Sequence, residues 1–353
     1  GYYTPGCGYS SPNHNIMRFP PYVVDQQSAF LLRRSLARSP LMVWKRRMLW
    51  NRVLIESRKP EVCHVAILAG VHGDEQAGFR AFERLLVRLS REPLLQGRVS
   101  LIPGNLLAAS RKRPTRCAAG QDMNRLFAEP HVLAQQGLVP SGPDWQRAQE
   151  LTHYLRDVDV LLDLHSTSSP SKPFVVIDKV DDRMRALLAG MPVQRIDYSY
   201  RGVLPGTTME YVERHGGRAI TVECGEHRQA SGTGAKVAFA SAIALLRNLG
   251  MLEPGPNPIV TSIPTVRLIT RGLIRHPASL QYEPWFKSGA KVAPGQRLAH
   301  DRTGEYRAPS AEQLASMLND NVPDHLIAIM VTAPTRVARV KPHDAYLLGI
   351  IDS

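Results

Sequence analysis

The chain has 353 residues, 43% hydrophobic and 21% charged, a globular composition that excludes disordered, collagen-like and coiled-coil classes. At about 150 residues per domain, the length suggests two domains or one large domain with an appendage, and no run of about 18 apolar residues is present to span a membrane. The odd quantity is charge: 44 basic against 31 acidic residues give +13, with 35 of the basic residues Arg, which points to nucleic acid, an anionic membrane surface or a small anionic substrate.

In chain order, the first sixty residues read as an irregular, Arg-rich N-terminal arm. It has apolar patches at Phe30–Leu32 and Leu41–Trp44 and an edge strand near Val53–Ile55. Val62 to Gly70 is a nearly continuous apolar run ending in Gly, the pattern of a strand buried on both faces. Asp74 to Ser90 places Ala77, Ala81, Phe82, Leu85, Leu86 and Leu89 at helical spacing. Val99–Pro103 predicts a strand, followed by a long basic loop, Asn105 to Phe127. A helix over Trp145–Arg156, strands at Val158–Leu164 and Phe174–Ile177, and helices at Arg183–Leu188 and Met209–His215 come next. Then follow a strand at Ala219–Glu223 and a helix at Ala235–Leu249. Alternating strands and helices predict a layered α/β domain over residues 61–255. Pro254 to Pro258 is a linker signal. Beyond it, short strand patterns at Val266–Ile269, Gly272–Ile274, Lys291–Val292, Leu326–Val331 and Tyr346–Ile351, with one helix at Ala311–Leu318, predict a smaller, mainly β domain over 260–353.

Four cysteines, at 7, 63, 117 and 224, form no CxxC pair and read as free thiols. With no basic-then-apolar leader, the expected location is cytoplasmic.

Chemistry concentrates at strand ends. The strand ending at Gly70 runs into Val71-His72-Gly73-Asp74-Glu75, where His72 and Glu75 sit three residues apart on one turn. His165 closes the strand Leu161-Leu162-Asp163-Leu164-His165. Ligands of open α/β sheets gather at the carboxyl ends of strands. His72, Glu75 and His165 therefore share one sheet edge as a His2Glu set, three protein ligands of the kind a catalytic zinc uses. Taken singly, an H-x-x-E spacing arises often by chance and a strand-end His is commonly satisfied by hydrogen bonds. Asp163 joins His165 as a supporting partner if the strand alternates regularly. Glu223 ends another apolar strand, Ala219-Ile220-Thr221-Val222-Glu223, and suits proton transfer to and from water and an amine, or simply opens a loop. Cys224 reads as a small buried hydrophobe. The loop Asn105–Phe127 carries Arg111, Lys112, Arg113, Arg116, Asp122, Asn124 and Arg125. Arginine binds carboxylates bidentately, and this loop lies between two ligand-bearing strands, although in a +13 chain it reads equally as a solvated basic face.

HGDE, G-N, K-R, D-M-N-R-L-F, D-L-H-S and T-V-E-C-G, in that order over residues 60–250, resemble the zinc carboxypeptidase superfamily, and within it the succinylglutamate desuccinylase/aspartoacylase branch. Lys287 to Leu298 is similar to the β appendage of that branch. The resemblance implies a carboxypeptidase-like mixed sheet flanked by helices. It also implies one Zn2+ held by His72, Glu75 and His165, Glu223 as general base, Asn124 and Arg125 as carboxylate binders, and Arg113 polarising the scissile carbonyl. The stretch from Arg113 to Asp122 is longer than the family pattern, and Arg116 rivals Arg113. Leu106 replaces the proline that commonly follows the Asn of G-N, and the family's substrate-side tyrosine and second arginine have no assignable counterpart.

The expected activity is hydrolysis of the amide bond of an N-acyl amino acid or similar small carboxylate-bearing molecule, with a metallocarboxypeptidase or amidase acting on peptides as the alternative. A membrane partner is not expected. No basic motif interleaved with aromatics is present, which argues against nucleic acid. A homo-oligomer remains open.

Overall fold

The alternation of Val65, Ile67 and Ala69 with Ala66 and Leu68 decides the architecture, because consecutive side chains of a strand point to opposite faces. The first set packs into one hydrophobic core and the second into another. A strand buried on both faces requires a layer on each side. The computed structural model describes residues 16–19, 52–111, 113–230, 232–256, 263–319 and 321–352. The apolar patches of the N-terminal arm, Cys7 and part of the linker signal lie outside these residues.

The elements follow in order: β1 (Ile16–Phe19), β2 (Arg52–Glu56), β3 (His64–Ala69), α1 (Ala77–Leu89), β4 (Arg98–Pro103), α2 (Leu106–Ala109), α3 (Pro130–Gln135), α4 (Gly142–Leu155), β5 (Val160–Thr167), β6 (Phe174–Ile177), α5 (Asp182–Leu188), β7 (Ile196–Tyr198), α6 (Thr208–Arg214), β8 (Arg218–Glu226) and α7 (Thr233–Asn248). The C-terminal part adds β9 (Thr265–Leu273), β10 (Gln281–Tyr282), β11 (Lys291–Val292), β12 (Arg297–Asp301), β13 (Gly304–Arg307), α8 (Ala311–Leu318), β14 (Leu326–Val331), α9 (Pro334–Val337) and β15 (Asp344–Ile351). Twelve strands form one mixed sheet in the order β1-β2-β4-β3-β5-β8-β6-β7-β9-β15-β14-β11. Parallel pairing of β4, β3, β5 and β8 makes its centre.

Helices α1, α5 and α7 cover one face through Phe82, Leu85, Leu187, Leu245 and Leu246. Helices α3, α4 and α6 cover the other through Leu133, Leu151, Leu155 and Val212. Ile67 is fully buried beneath the first layer, so truncating it to Ala would cost about 2–5 kcal/mol. Helix α1 begins at Ala77 rather than Asp74, since residues 70–76 form a separate turn in which the Glu75 amide donates to the His72 carbonyl at 3.1 Å.

The C-terminal strands β9, β15, β14 and β11 continue the main sheet through β7, while β10, β12 and β13 form a second, three-stranded sheet. The two short strand patterns at 266–274 are one strand, β9. This part has its own core around Phe286, Leu298, Leu314, Leu326 and Leu348. Helix α8 opens on a capping box: Ser310 Oγ accepts from the Gln313 amide at 3.2 Å, and Gln313 Oε1 accepts from the Ser310 amide at 2.8 Å. Between α9 and β15 the chain returns to the N-terminal part of the sheet. The Asp122 amide donates to the Lys341 carbonyl at 2.6 Å, and the Lys341 amide donates to the Gly120 carbonyl at 2.9 Å. Among the described residues no helix is long and apolar enough to cross a membrane.

Candidate active site

Strand parity brings the functional side chains together. On β5, Leu162 and Leu164 point into the core beneath α1 and α7, so Asp163 and His165 face the opposite side. On β8, Val222 and Cys224 do the same, which turns Thr221 and Glu223 to the face of Asp163 and His165. In register, His165 pairs with Glu223 and Asp163 with Thr221. The alternation is regular, so Asp163 does stand beside His165.

The turn after β3 delivers the other two groups. Gly70 has φ +71°, and at Gly73 a Cβ would lie 2.5 Å from the Ala108 backbone. That turn therefore packs directly on the basic loop and requires glycine. The Gly73 amide donates to the Arg116 carbonyl at 3.1 Å, fixing Arg116 next to the turn.

His72, Glu75 and His165 are all buried and present donor atoms within 4.8 Å of one another. His72 Nδ1 is 2.8 Å from Glu75 Oε1, and His165 Nδ1 is 3.0 Å from Glu75 Oε2. The far nitrogens meet two further buried carboxylates: His72 Nε2 is 2.8 Å from Asp122, and His165 Nε2 is 3.0 Å from Asp163. The His72–Asp122 hydrogen bond is the arrangement in which a carboxylate orients a metal-binding imidazole through its other nitrogen, and Asp163 stands beside His165 as an ion-pair partner. Asp122 also takes Arg116 Nη2 at 2.7 Å, and Asp163 takes the Thr208 hydroxyl at 2.5 Å.

The donor set fits a divalent cation. With both imidazoles neutral, Glu75, Asp122 and Asp163 against Arg116 leave two negative charges in a buried space, and both Nδ1 atoms point at one carboxylate. Without an ion, a proton on His165 offsets part of that charge. Burial alone would raise Glu75, but the two imidazoles hold it well below the usual carboxylate range. Burial would likewise lower His165, but Asp163 and Glu75 hold it well above the usual histidine value. A second grouping, Asp74, Glu75 and His227, also converges, but Arg336 Nη2 lies 3.2 Å from Asp74 and already supplies a cation there.

Glu223 stands beside the trio. Its Oε2 is buried with no hydrogen-bond partner among the described residues. Burial, and then the charge of Glu75, push its carboxyl up to about 7. Cys224 is buried in the core on the opposite face, its thiol raised well above the usual range by burial and then by Glu223.

The basic loop is placed less simply. Arg116, Asn124 and Arg125 line the cavity in front of the trio. Arg113 is exposed and does not line it. Of the two rivals, Arg116 is the one placed at the cavity, held there by the Gly73–Arg116 backbone bond and the Arg116–Asp122 pair. Asn124 Oδ1 accepts from the Thr208 amide at 3.0 Å. Arg125 directs Nε at Asp344 (3.3 Å) and Nη1 at the Asn124 carbonyl (2.8 Å).

Two contributors escaped the sequence reading. Asp144, fully buried on α4, accepts from Asn105 Nδ2 (2.8 Å) and from the amides of Ala118 (2.6 Å) and Ala119 (2.7 Å), and so shapes the loop that carries Arg116. Its only sequence signal is an acid in the first turn of a helix opened by Gly-Pro, which also suits an ordinary helix start. The wall formed by Ile329, Met330, Arg336, Val337, Val340 and Pro342 comes from the C-terminal part. No local pattern announces it.

Fold and site together define a carboxypeptidase-like α/β protein with a buried His–Glu–His donor set. The catalytic-domain model of the succinylglutamate desuccinylase/aspartoacylase family matches residues 61–249, more than half of the chain, and the chain belongs to that family, a branch of the zinc carboxypeptidase-like superfamily. The N-alpha-acetyl-L-2,4-diaminobutyric acid deacetylase of Halomonas elongata is 31% identical over 152 residues, 39% of this chain and 41% of that protein, so the match spans about two-fifths of that relative's length. Among solved structures, a succinylglutamate desuccinylase from Vibrio parahaemolyticus aligns over 86% of this chain and 88% of its own, at 16% identity and a TM-score of 0.64. A succinylglutamate desuccinylase/aspartoacylase from Rhodobacter sphaeroides covers 85% and 88%, at 20% identity and a TM-score of 0.54. At these identities the two structures share the fold.

Proposed function

We propose that the chain is a zinc-dependent deacylase that hydrolyses the amide bond of a small N-acyl amino acid. One observation carries this reading: two imidazoles converge on Glu75 beside Glu223, a half-buried residue with a buried, unpaired carboxyl oxygen. Family membership and the deacetylase relative support amide-bond deacylation.

His72 Nδ1, Glu75 and His165 Nδ1 would hold the ion, with Asp122 and Asp163 fixing the two rings. Zinc, when bound there, supplies a Lewis acid that polarises a carbonyl and makes water more acidic. Glu223 takes the proton of the attacking water and returns it to the departing amine nitrogen, work suited to a carboxyl raised toward neutrality. Arg116 donates hydrogen bonds to the negative charge that develops on the carbonyl oxygen. Asn124 and Arg125 hold the substrate by its carboxylate, which orients the amide. Among the described residues Arg125 Nη2 has no partner, so it is the guanidinium atom left for that carboxylate.

Residues 61–255 serve as the catalytic unit, and residues 260–353 close one side of the cavity. That wall favours a small substrate over the alternative, a peptide chain running through the site. Metal analysis should find about one zinc per chain. Glu223→Ala should keep the metal and lower kcat by about 10²–10⁴-fold. Turnover near the wild-type rate in that variant would overturn the assignment.

A further inference from the structure

We propose that the preferred substrate carries, besides the scissile amide and one carboxylate, an uncharged hydrocarbon arm lying on the apolar floor of the cavity. This rests on the deacylase reading and specifies its substrate.

The floor is laid out by strand register. From His165 on β5, the pairing runs to Glu223 on β8 and then to Phe174 on β6. The row beneath it runs from Asp163 to Thr221, Val176 and Asp197. Neighbouring strands lie about 4.8 Å apart, so two strands from the metal-type centre the lining has changed from imidazole and carboxylate to Phe174 and Val176. Leu268, Ile329, Leu347 and Met209 extend this apolar surface. The cavity of about 130 Å3 far exceeds the ~10–15 Å3 that a single water needs, so a substrate arm has room.

The charged groups around this floor are already committed. Asp197 accepts both Nε and Nη2 of Arg195, at 2.6 and 2.9 Å. Asp344 faces Arg125 at 3.3 Å and Arg271 at 3.0 Å. Arg336 pairs with Asp74, and Arg116 with Asp122 and Glu75. Each guanidinium lining the cavity thus has a carboxylate beside it. After Arg125 has taken one substrate carboxylate, a second would be desolvated against Phe174, Val176 and Ile329, which is unfavourable. A methylene buried there gains about fourfold in affinity.

The test measures kcat/KM of the zinc-loaded enzyme on two matched panels. One varies the acyl group of a fixed amino acid: acetyl, butanoyl and hexanoyl against succinyl and glutaryl. The other varies the amino acid of a fixed N-acetyl group: norvaline and leucine against aspartate and glutamate. On at least one side of the amide the hydrocarbon arm should exceed the carboxylate arm of similar length at least tenfold, and Ile329→Asp should reduce that advantage about tenfold. A carboxylate arm equal or superior on both sides, with hydrolysis intact, overturns the inference alone. Turnover of no member of either panel overturns the deacylase reading and the arm with it.

Discussion

Arg113 and Arg116 lie three positions apart, yet only Arg116 reaches the buried carboxylates, 2.7 Å from Asp122 and 3.3 Å from Glu75. Arg116→Ala should therefore lower kcat/KM by about 10²–10³-fold, the usual loss for one donor to a developing oxyanion. Arg113→Ala should stay within about twofold of wild type, as expected for an exposed surface residue; equal losses in steady-state assays would contradict this placement. As the proposed base, Glu223 should set the pH dependence. It acts as a base only when ionised, and burial with Glu75 pushes it up to about 7, so kcat/KM should rise with pH through an acid limb. A divalent cation on Glu75 cancels the second cause, which puts that limb in the loaded enzyme at or below about 7. A limb lying well above about pH 7 in the loaded enzyme would contradict the role. The positions of His72, Glu75, His165 and Glu223 were legible because strand ends and a fixed i, i+3 spacing concentrate chemistry. The choice between Arg113 and Arg116 was not, since it turns on a backbone hydrogen bond from Gly73 that leaves no trace in residue type.

At the scale of elements, the basic loop is held from beneath by one carboxylate. Asp144 accepts from Asn105 and from the amides of Ala118 and Ala119. Asp144→Ala strands the donors of Asn105 and Ala118 in a buried site, at about 1–3 kcal/mol for each one left unsatisfied. Thermal or denaturant unfolding should register this loss, and kcat should fall as Arg116 loses its anchor. Unchanged stability and turnover would show that the loop is shaped from elsewhere. The central strands were readable because full burial on both faces yields unbroken apolar runs such as residues 65–69. The start of α1 was not: the helical period of its apolar residues extends no further back than Ala77, and the preceding turn is set by glycines and by contact with α2.

For the whole molecule, the +13 charge divides into parts. Arg116 and Arg125 face the cavity, whereas others, such as Arg297 with Glu283 and Glu305, form ion pairs at the surface. The C-terminal strands have a core of their own, and they also extend the main sheet and lend the cavity a wall. That relation depends on β7 pairing with β9 and on the Lys341–Asp122 contact, partners far apart in sequence that no local periodicity reveals. The most direct test of the proposed zinc deacylase is hydrolysis of N-acyl amino acids by purified protein before metal removal, after it, and after zinc is restored. The expected result is release of the free amino acid, loss of that activity with the metal, and recovery at about one zinc per chain. Turnover that persists in metal-free protein, or no turnover of any N-acyl amino acid by the zinc-loaded protein, would contradict the proposed function.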